Sequence, residues 1–408
     1  MLLVGKQAIL EVNHKKLSLM TNLTLFSQII SKLDRVRFGK LVKARQTDKH
    51  QKGYNSWTHL VSMLFCQFAK SQSVRDISNG LRSATGNLNH LGIDKAPSKS
   101  SVAYQNKNRD WRLFRDYYYH LLEHLGQQAA FKQVKFKIKS KIYLLDSTTV
   151  SLCLSLFDWA KYKTAKGAVK LHTLLDYDGN MPAYVNITDG KTADNKGAYD
   201  LPLTKGSVIV ADRFYNDLFL LNVWDSTGVY FVIRHKENLQ YTVIKENKLP
   251  GDRHPHIRKD EIIEFKNTVS KQRYPNRLRR VVVWDEVNEQ NIELITNQMS
   301  WVANTVGELY KSRWQVEIFF REIKQLLHIK SFIGTTENAV MIQIWTALIT
   351  ILILKVLKAM AKFGWHLSNL VAFIRLNLFV KIGLQQWLDK PFEEPLKPPE
   401  NYSQGVLF

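Results

Sequence analysis

At Ile142-Tyr143-Leu144-Leu145-Asp146-Ser147-Thr148-Thr149 the hydrophobic pattern of this 408-residue chain changes period. Upstream, apolar residues recur every three or four positions. Here four stand in a row and stop at a carboxylate followed by three hydroxyls, which reads as a short buried strand over residues 142–145 with Asp146 at its end. Residues 169–175 and 183–187 read as two further strands around the turn Tyr177-Asp178-Gly179-Asn180. A fourth strand at residues 208–211 ends at Asp212, and residues 230–233 make a fifth. Helical stretches at 194–203 and 216–224 fall before and after the fourth strand.

Three strands in a meander, then helix, strand, helix, strand, is the element order of the ribonuclease H-like fold. That order sets the first and fourth strands side by side, so Asp146 and Asp212 are expected to be neighbours although 66 positions separate them. Singly, a carboxylate just after a strand is commonly a turn former or a helix cap. A third carboxylate makes the pair more informative.

That third carboxylate lies in LYKSRWQVEIFFREIKQLL, residues 309–327, which reads as one helix with two faces. Val316, Phe319, Phe320, Ile323, Leu326 and Leu327 form its apolar stripe. Tyr310, Arg313, Glu317 and Lys324, joined by Arg321 and His328, form a polar column on the other side. The plain reading of such a column is a solvated face with an ion pair or two. A phenol, a guanidinium and an ammonium around one carboxylate, beside Trp314, instead suit a site that handles phosphate and metal. With Asp146 and Asp212, Glu317 would complete a cluster whose repulsion only a cation can offset. Two divalent ions, Mg2+ or Mn2+, about 4 Å apart would do so and would clamp the attacking and leaving oxygens of phosphoryl transfer. Tyr310, Arg313 and Lys324 would then contact DNA phosphates.

Tyr310-x2-Arg313-x3-Glu317-x6-Lys324 is, as it stands, the YREK signature of insertion-sequence-four type DDE transposases, whose catalytic glutamate is the third member. The segments DSTTVSLCLSLFDWAKY from Asp146, KGAVKLHTLLD from Lys166, ITDGKTADN from Ile187, VADRFY from Val210 and GTTENAV from Gly334 also resemble that family. The resemblance implies an α/β protein with a ribonuclease H-like catalytic core, a β-rich insertion and an all-α N-terminal DNA-binding domain. It further implies catalysis and metal binding by Asp146, Asp212 and Glu317, and a homodimer on the DNA ends. Two departures stand out. Phe214 replaces a small residue, and Asn291 or Ile292 stands where relatives carry a base-capturing tryptophan, with Trp284 nearby but better placed as a strand residue.

The expected domains are a helical DNA-binding domain at 20–128, the first part of the core at 138–235, a β-rich insertion at 236–300, the second part of the core at 301–362, and a C-terminal tail at 363–408 whose Pro-rich end is expected to be loose. In the first of these, Ser73 is an expected N-cap, and a polar helix opening at Pro97-Ser98 and reaching Tyr117 gives the region the look of a helix-turn-helix. Residues 35–52 carry seven Lys or Arg against one acid, suited to the DNA backbone or to a solvated loop. Between residues 234 and 280, thirteen Lys or Arg stand against six acids.

The whole chain carries 58 Lys plus Arg against 36 Asp plus Glu, a formal net charge of +22, so its surface attracts polyanions. Double-stranded DNA, as element ends and target, is the expected partner. The uncharged run 339–354 is shorter than the roughly 20 residues a membrane span needs, and a buried helix is expected. Cys66 and Cys153 lack the spacings of zinc sites or disulfide frameworks, and with no secretory signal the expected location is the bacterial cytoplasm, at the nucleoid. The expected function is metal-dependent cutting and joining of the ends of an insertion sequence. The alternatives are an element-derived DNA-binding protein without activity and a ribonuclease H-like nuclease.

Overall fold

The computed structural model describes residues 22–126, 136, 138–152, 161–163, 166–235, 240–326 and 332–393. Leu327, His328, Cys153, the side chain of Leu326 and the proline-rich end from residue 394 lie outside the described residues. The chain divides into two compact units, one made of Met1–Tyr117 with Trp345–Phe408 and the other of Tyr118–Ile344.

The first unit is helical throughout its described elements. Helices Leu25–Ile30, Arg35–Arg45, Ser56–Ala69, Val74–Ser83 and Lys99–Asn108 each start where the sequence offers a cap: Thr24, Asp34, Asn55, Ser73 and Ser98 each accept a backbone N–H of the first turn. Ser73 and Asp76 close a reciprocal capping box. Helix Ser56–Ala69 is buried on nearly every side, with Leu60, Val61, Leu64, Phe65 and Phe68 in the core.

The expected single helix from Pro97-Ser98 to Tyr117 is two helices, broken at Arg109. Arg109 is extended at φ −74°, ψ 131°, and its buried guanidinium donates to the carbonyls of Tyr54 and Asn55. This tertiary anchor overrides the local helical preference of the segment.

The described part of the C-terminal stretch, residues 363–393, is packed into the first unit. Its helices Leu367–Asn377 and Leu384–Asp389 bury Leu370, Ile374, Leu384, Trp387 and Leu388. The backbone N–H groups of Leu25 and Phe26 donate to the carbonyls of Val380 and Leu378 at 2.9 and 2.8 Å. Gln28 donates to Ile382 O at 2.7 Å and accepts from Leu384 N at 2.8 Å. The Phe379 ring stacks on Phe65 and meets Phe26 edge-on. A chain truncated after residue 362 would expose these rings and strand four polar groups, at about 1–3 kcal/mol for each one left buried and unpaired. We expect it to melt at markedly lower temperature than the full chain, as followed by circular dichroism. An unchanged melting curve would show that this packing contributes nothing.

The second unit is a ten-stranded sheet with helices. Its strands are β1 Ile142–Leu152, β2 Lys161–Lys163, β3 Lys166–Asp176, β4 Met181–Asp189, β5 Val208–Ala211, β6 Tyr230–Arg234, β7 Tyr241–Glu246, β8 Ile257–Phe265, β9 Leu278–Asp285 and β10 Gln290–Thr296. They run in the order β2-β3-β1-β5-β6-β10-β9-β8-β7, with β4 also on β3. β1, β3 and β4 form an antiparallel meander, while β1, β5 and β6 pair in parallel. The expected helix over 194–203 is only a 3-10 turn, Asp194–Ala198. Pro202 disfavours helical torsions at Leu201, so the segment cannot run on as a helix to Leu203.

The described part of the basic, strand-rich stretch, residues 240–300, continues this sheet. β10 pairs with β6 and brings β9, β8 and β7 after it. Ile263, Phe265, Tyr274 and Leu278 share one core with Ile209, Leu221, Phe231 and Ile295. Two of its arginines face inward: Arg279 pairs with Asp260 at 2.7 Å and Arg280 with Glu261 at 2.6 Å, all four side chains being buried. Trp284 is a β9 residue opposite Asn291, with the Arg258 guanidinium 5.6 Å from its ring.

Helix Glu337–Met360 has 24 residues and could cross a membrane by length and composition alone, contrary to the expectation from its uncharged core. Because 89% of its most apolar window is buried inside the protein, it reads as a core helix.

Candidate active site

The site grows from the pairing of β1 with β5. Their parallel register ends at Leu145 opposite Ala211, and the next residues along the two strands are Asp146 and Asp212. Neighbouring strands lie about 4.8 Å apart, so the register sets the two carboxylates side by side. Asp146 is not at a strand end as expected. β1 runs on to Leu152, and Asp146 pairs with Thr173 of β3, while its other edge has lost β5. Asp212 does end its strand and caps the turn Arg213–Tyr215, accepting from Phe214 N at 2.6 Å.

The polar column occupies the junction of two helices, Ala303–Ser312 and Trp314–Leu326. Arg313 stands between them with helical torsions, and the backbone around it tightens to three-residue hydrogen bonds, Arg313 N to Tyr310 O and Val316 N to Arg313 O, both 3.0 Å. The apolar stripe is where periodicity puts it: Val316, Phe319, Phe320 and Ile323 are buried, and this helix packs against β1.

Arg313 ties the column to the sheet. One guanidinium nitrogen donates to Asp146 at 3.2 Å and the other to Glu317 at 2.7 Å. The Tyr310 ring lies 5.8 Å from the guanidinium carbon. Arg321 is exposed, and Lys324, half-buried, has no ion-pair partner among the described residues.

Burial pushes the Asp146 carboxyl up to about 7, with Asp212 and Glu317 adding to the rise and the Ser147 N–H and Arg313 opposing it. Asp212 is also raised, first by burial and then by Asp194, against the Phe214 N–H and Arg313. Burial raises the Tyr310 phenol, with Asp212 again contributing and Arg313 and Arg234 opposing. The Arg313 guanidinium loses by burial but is more than restored by Tyr310, Asp146 and Glu317. Asp212 and Glu317 thus both act on Asp146, and Arg313 opposes the rise at Asp146 and at Asp212.

Asp194 borders this cluster although sequence reasoning gave it no role. It accepts the Ser147 hydroxyl, pairs with Lys170 at 3.1 Å, and comes from the Asp194–Ala198 turn. Buried Tyr215 lies close enough that Asp146, Asp194 and Asp212 add to the effect of burial in raising its phenol. The ITDGKTADN segment carries Asp194, but nothing in its spacing marks that side chain.

Among the described residues no three His, Cys, Asp or Glu side chains are gathered closely enough to hold a metal as they stand. The donor chemistry nevertheless fits one: Asp146, with Asp212 beside it by strand register and Glu317 joined to it through Arg313, makes an all-oxygen donor set that suits hard divalent cations.

A family model described as "Transposase DDE domain" matches residues 137–353, and one described as "Domain of unknown function (DUF4372)" matches residues 21–94. The chain is 31% identical over 57% of its length to a protein of Geobacillus stearothermophilus named a probable transposase for insertion sequence element IS5377, of which it covers 61%. It is 28% identical over 64% of its length to the provisionally named transposase y4zB of Sinorhizobium fredii, covering 72% of that protein. It is 27% identical over 71% of its length to a provisionally named transposase for insertion sequence element IS4SA of Synechocystis, covering 80%. Since the first model takes in both aspartates, the column and most of the sheet, the chain belongs to the DDE transposase family.

Proposed function

We propose that this protein is the transposase of an insertion sequence, cutting and joining the ends of its own element by metal-dependent phosphoryl transfer. The observation that carries this reading is the register that sets Asp146 beside Asp212, with Glu317 brought to the same place through Arg313. Asp146, Asp212 and Glu317 would hold the divalent metal, two Mg2+ or Mn2+, which when bound activates a water and then the freed 3′ hydroxyl for attack on a phosphodiester. Arg313 offers a planar fork and Tyr310 a phenol to phosphate oxygens at the cut. Lys324, seven residues beyond Glu317 and so about 10 Å along the helix, suits a neighbouring phosphate. Lys324→Gln is expected to slow cleavage of pre-bound DNA by about tenfold, whereas an exposed ion-pair residue would cost at most about 1 kcal/mol of stability and nothing in rate.

The strand order β4-β3-β1-β5-β6 and its directions support a ribonuclease H-like core, and the YREK spacing supports the insertion-sequence-four type. Helix Lys99–Asn108 supports DNA binding by the N-terminal helices, since Lys99, Ser100, Tyr104, Lys107 and Asn108 are exposed along it. Joining two element ends to one target calls for two active sites, hence a homodimer on DNA, acting in the bacterial cytoplasm at the nucleoid.

The test is to incubate the purified protein with the ends of its element, with and without Mg2+, and to map the breaks. Cleavage at the ends only with Mg2+ supports the proposal. Binding without cleavage would return the chain to an inactive DNA-binding protein, and cleavage of any duplex or of RNA to a general nuclease.

A further inference from the structure

Resting on the metal-site reading above, we propose that Arg313 is an exchangeable counter-cation. It holds the carboxylates together when the metal is absent, and metal and DNA divide that ion pair between them, the metal taking the carboxylates and a phosphate taking the guanidinium.

When ionised, half-buried carboxylates this near one another need a counter-charge, because each carries the cost of its own desolvation and of the others' repulsion. Among the described residues the cation that bonds two of them is the Arg313 guanidinium, through Asp146 Oδ2 and Glu317 Oε1. Those oxygens belong to the two carboxylates a divalent ion needs. The fork also keeps them on separate nitrogens, which accounts for the lack of a ready metal cage among the described residues. A guanidinium and a divalent ion on the same carboxylates repel one another, so each weakens the other's hold.

Arg313 is placed to leave. It stands between two helices rather than inside one, its side chain is 19% exposed, and the Tyr310 ring it already lies against would keep one contact on the guanidinium as the carboxylates let go. Once released, its planar fork matches a phosphate. Each ligand then removes the contact that opposes the other, so metal and DNA bind with positive coupling, and that coupling passes through one side chain. The carboxylates would stay occupied by protein until DNA arrives, which restrains metal-dependent nicking by the free enzyme.

The test is a calorimetric Mn2+ titration of the full chain without DNA, for the wild type, Arg313→Gln, Arg313→Lys and Asp146→Asn. Arg313→Gln is expected to bind Mn2+ about tenfold tighter than wild type, since a competing charge is gone. Arg313→Lys, which keeps the charge but loses the fork, should fall between them. Adding a random-sequence duplex should tighten Mn2+ binding in the wild type and not in Arg313→Gln. Equal or weaker Mn2+ binding by Arg313→Gln would show that the arginine supports the metal site instead of competing for it, and would overturn the exchange. Should Arg313→Gln fail to fold by circular dichroism, Arg313→Lys carries the same test, with affinity equal to or below wild type overturning it. Asp146→Asn separates the two readings. If it binds Mn2+ as well as wild type, or if no variant binds at all, the metal site itself is wrong. If it alone loses Mn2+ while the arginine variants match wild type, only the exchange falls.

Discussion

Asp146→Asn, Asp212→Asn and Glu317→Gln are each expected to lower strand cleavage by about three orders of magnitude or more, equivalent to about 4 kcal/mol of transition-state stabilisation. Binding to element ends should stay within about threefold of wild type, because each change leaves the basic surface that meets the backbone intact. The stability of the variants separates lost chemistry from lost fold. In the metal-free chain the Asp146 carboxyl holds its proton up to about 7, against an ordinary 3.8. An acid raised in this way is favoured neutral by the fold, so ionising it costs stability as pH climbs from about 4 to about 7. Asparagine cannot ionise. At pH 7 in a chelator Asp146→Asn should therefore be at least as stable as wild type by denaturant melting, yet inactive. The wild type alone should lose stability between pH 5 and 7 through this group. Cleavage at a tenth of the wild-type rate or better by any of the three would remove that residue from the triad, and a variant both inactive and unfolded would point to scaffold rather than chemistry.

What could be read from residues alone follows from how local each signal is. Asp146 and Asp212 sit beside runs of consecutive apolar residues, and the order of the elements around them is enough to pair their strands. The helix carrying Glu317 shows its buried face through Val316, Phe319, Phe320 and Ile323, because an amphipathic period survives in any tertiary setting. The break at Arg313 was not legible, since its torsions stay helical and only the hydrogen bonds shorten in span. Nor was Asp194, whose importance arises from Ser147 and Lys170, 47 and 24 positions away. The C-terminal helices were missed for a similar reason. Leu370, Ile374 and Trp387 look like scattered apolar residues until helices Ser56–Ala69 and Leu25–Ile30, more than three hundred positions earlier, supply the surfaces their helices pack against. The thirteen basic residues from 234 to 280 were legible as charge but not as allegiance, because composition does not say which cations face inward.

Arg279 is where that allegiance has the largest energetic consequence. Its guanidinium meets Asp260 through two bonds, Nε at 2.8 Å and Nη2 at 2.7 Å, and donates to Trp301 O as well. Asn247 donates to the same carboxylate at 3.0 Å, so the pair links β8 and β9 to the segments on either side. Both side chains are 5% exposed. Arg279→Gln would leave the Asp260 charge buried with one weak partner, and breaking one side of a buried pair costs about 3–5 kcal/mol. Removing both charges with Arg279→Met and Asp260→Leu should recover most of that loss, as buried pairs contribute little net stability over apolar packing. Arg253 and Lys266, both exposed in the same half of the sheet, are the contrasting case. Each changed to Gln should leave stability within about 0.5 kcal/mol while reducing the salt dependence of DNA binding by about one unit of slope. Denaturant melts and salt-titrated binding on these four variants and the wild type decide the matter. If Arg279→Gln melts like wild type and instead loses DNA affinity, Arg279 faces the nucleic acid and the buried pair is not part of the scaffold.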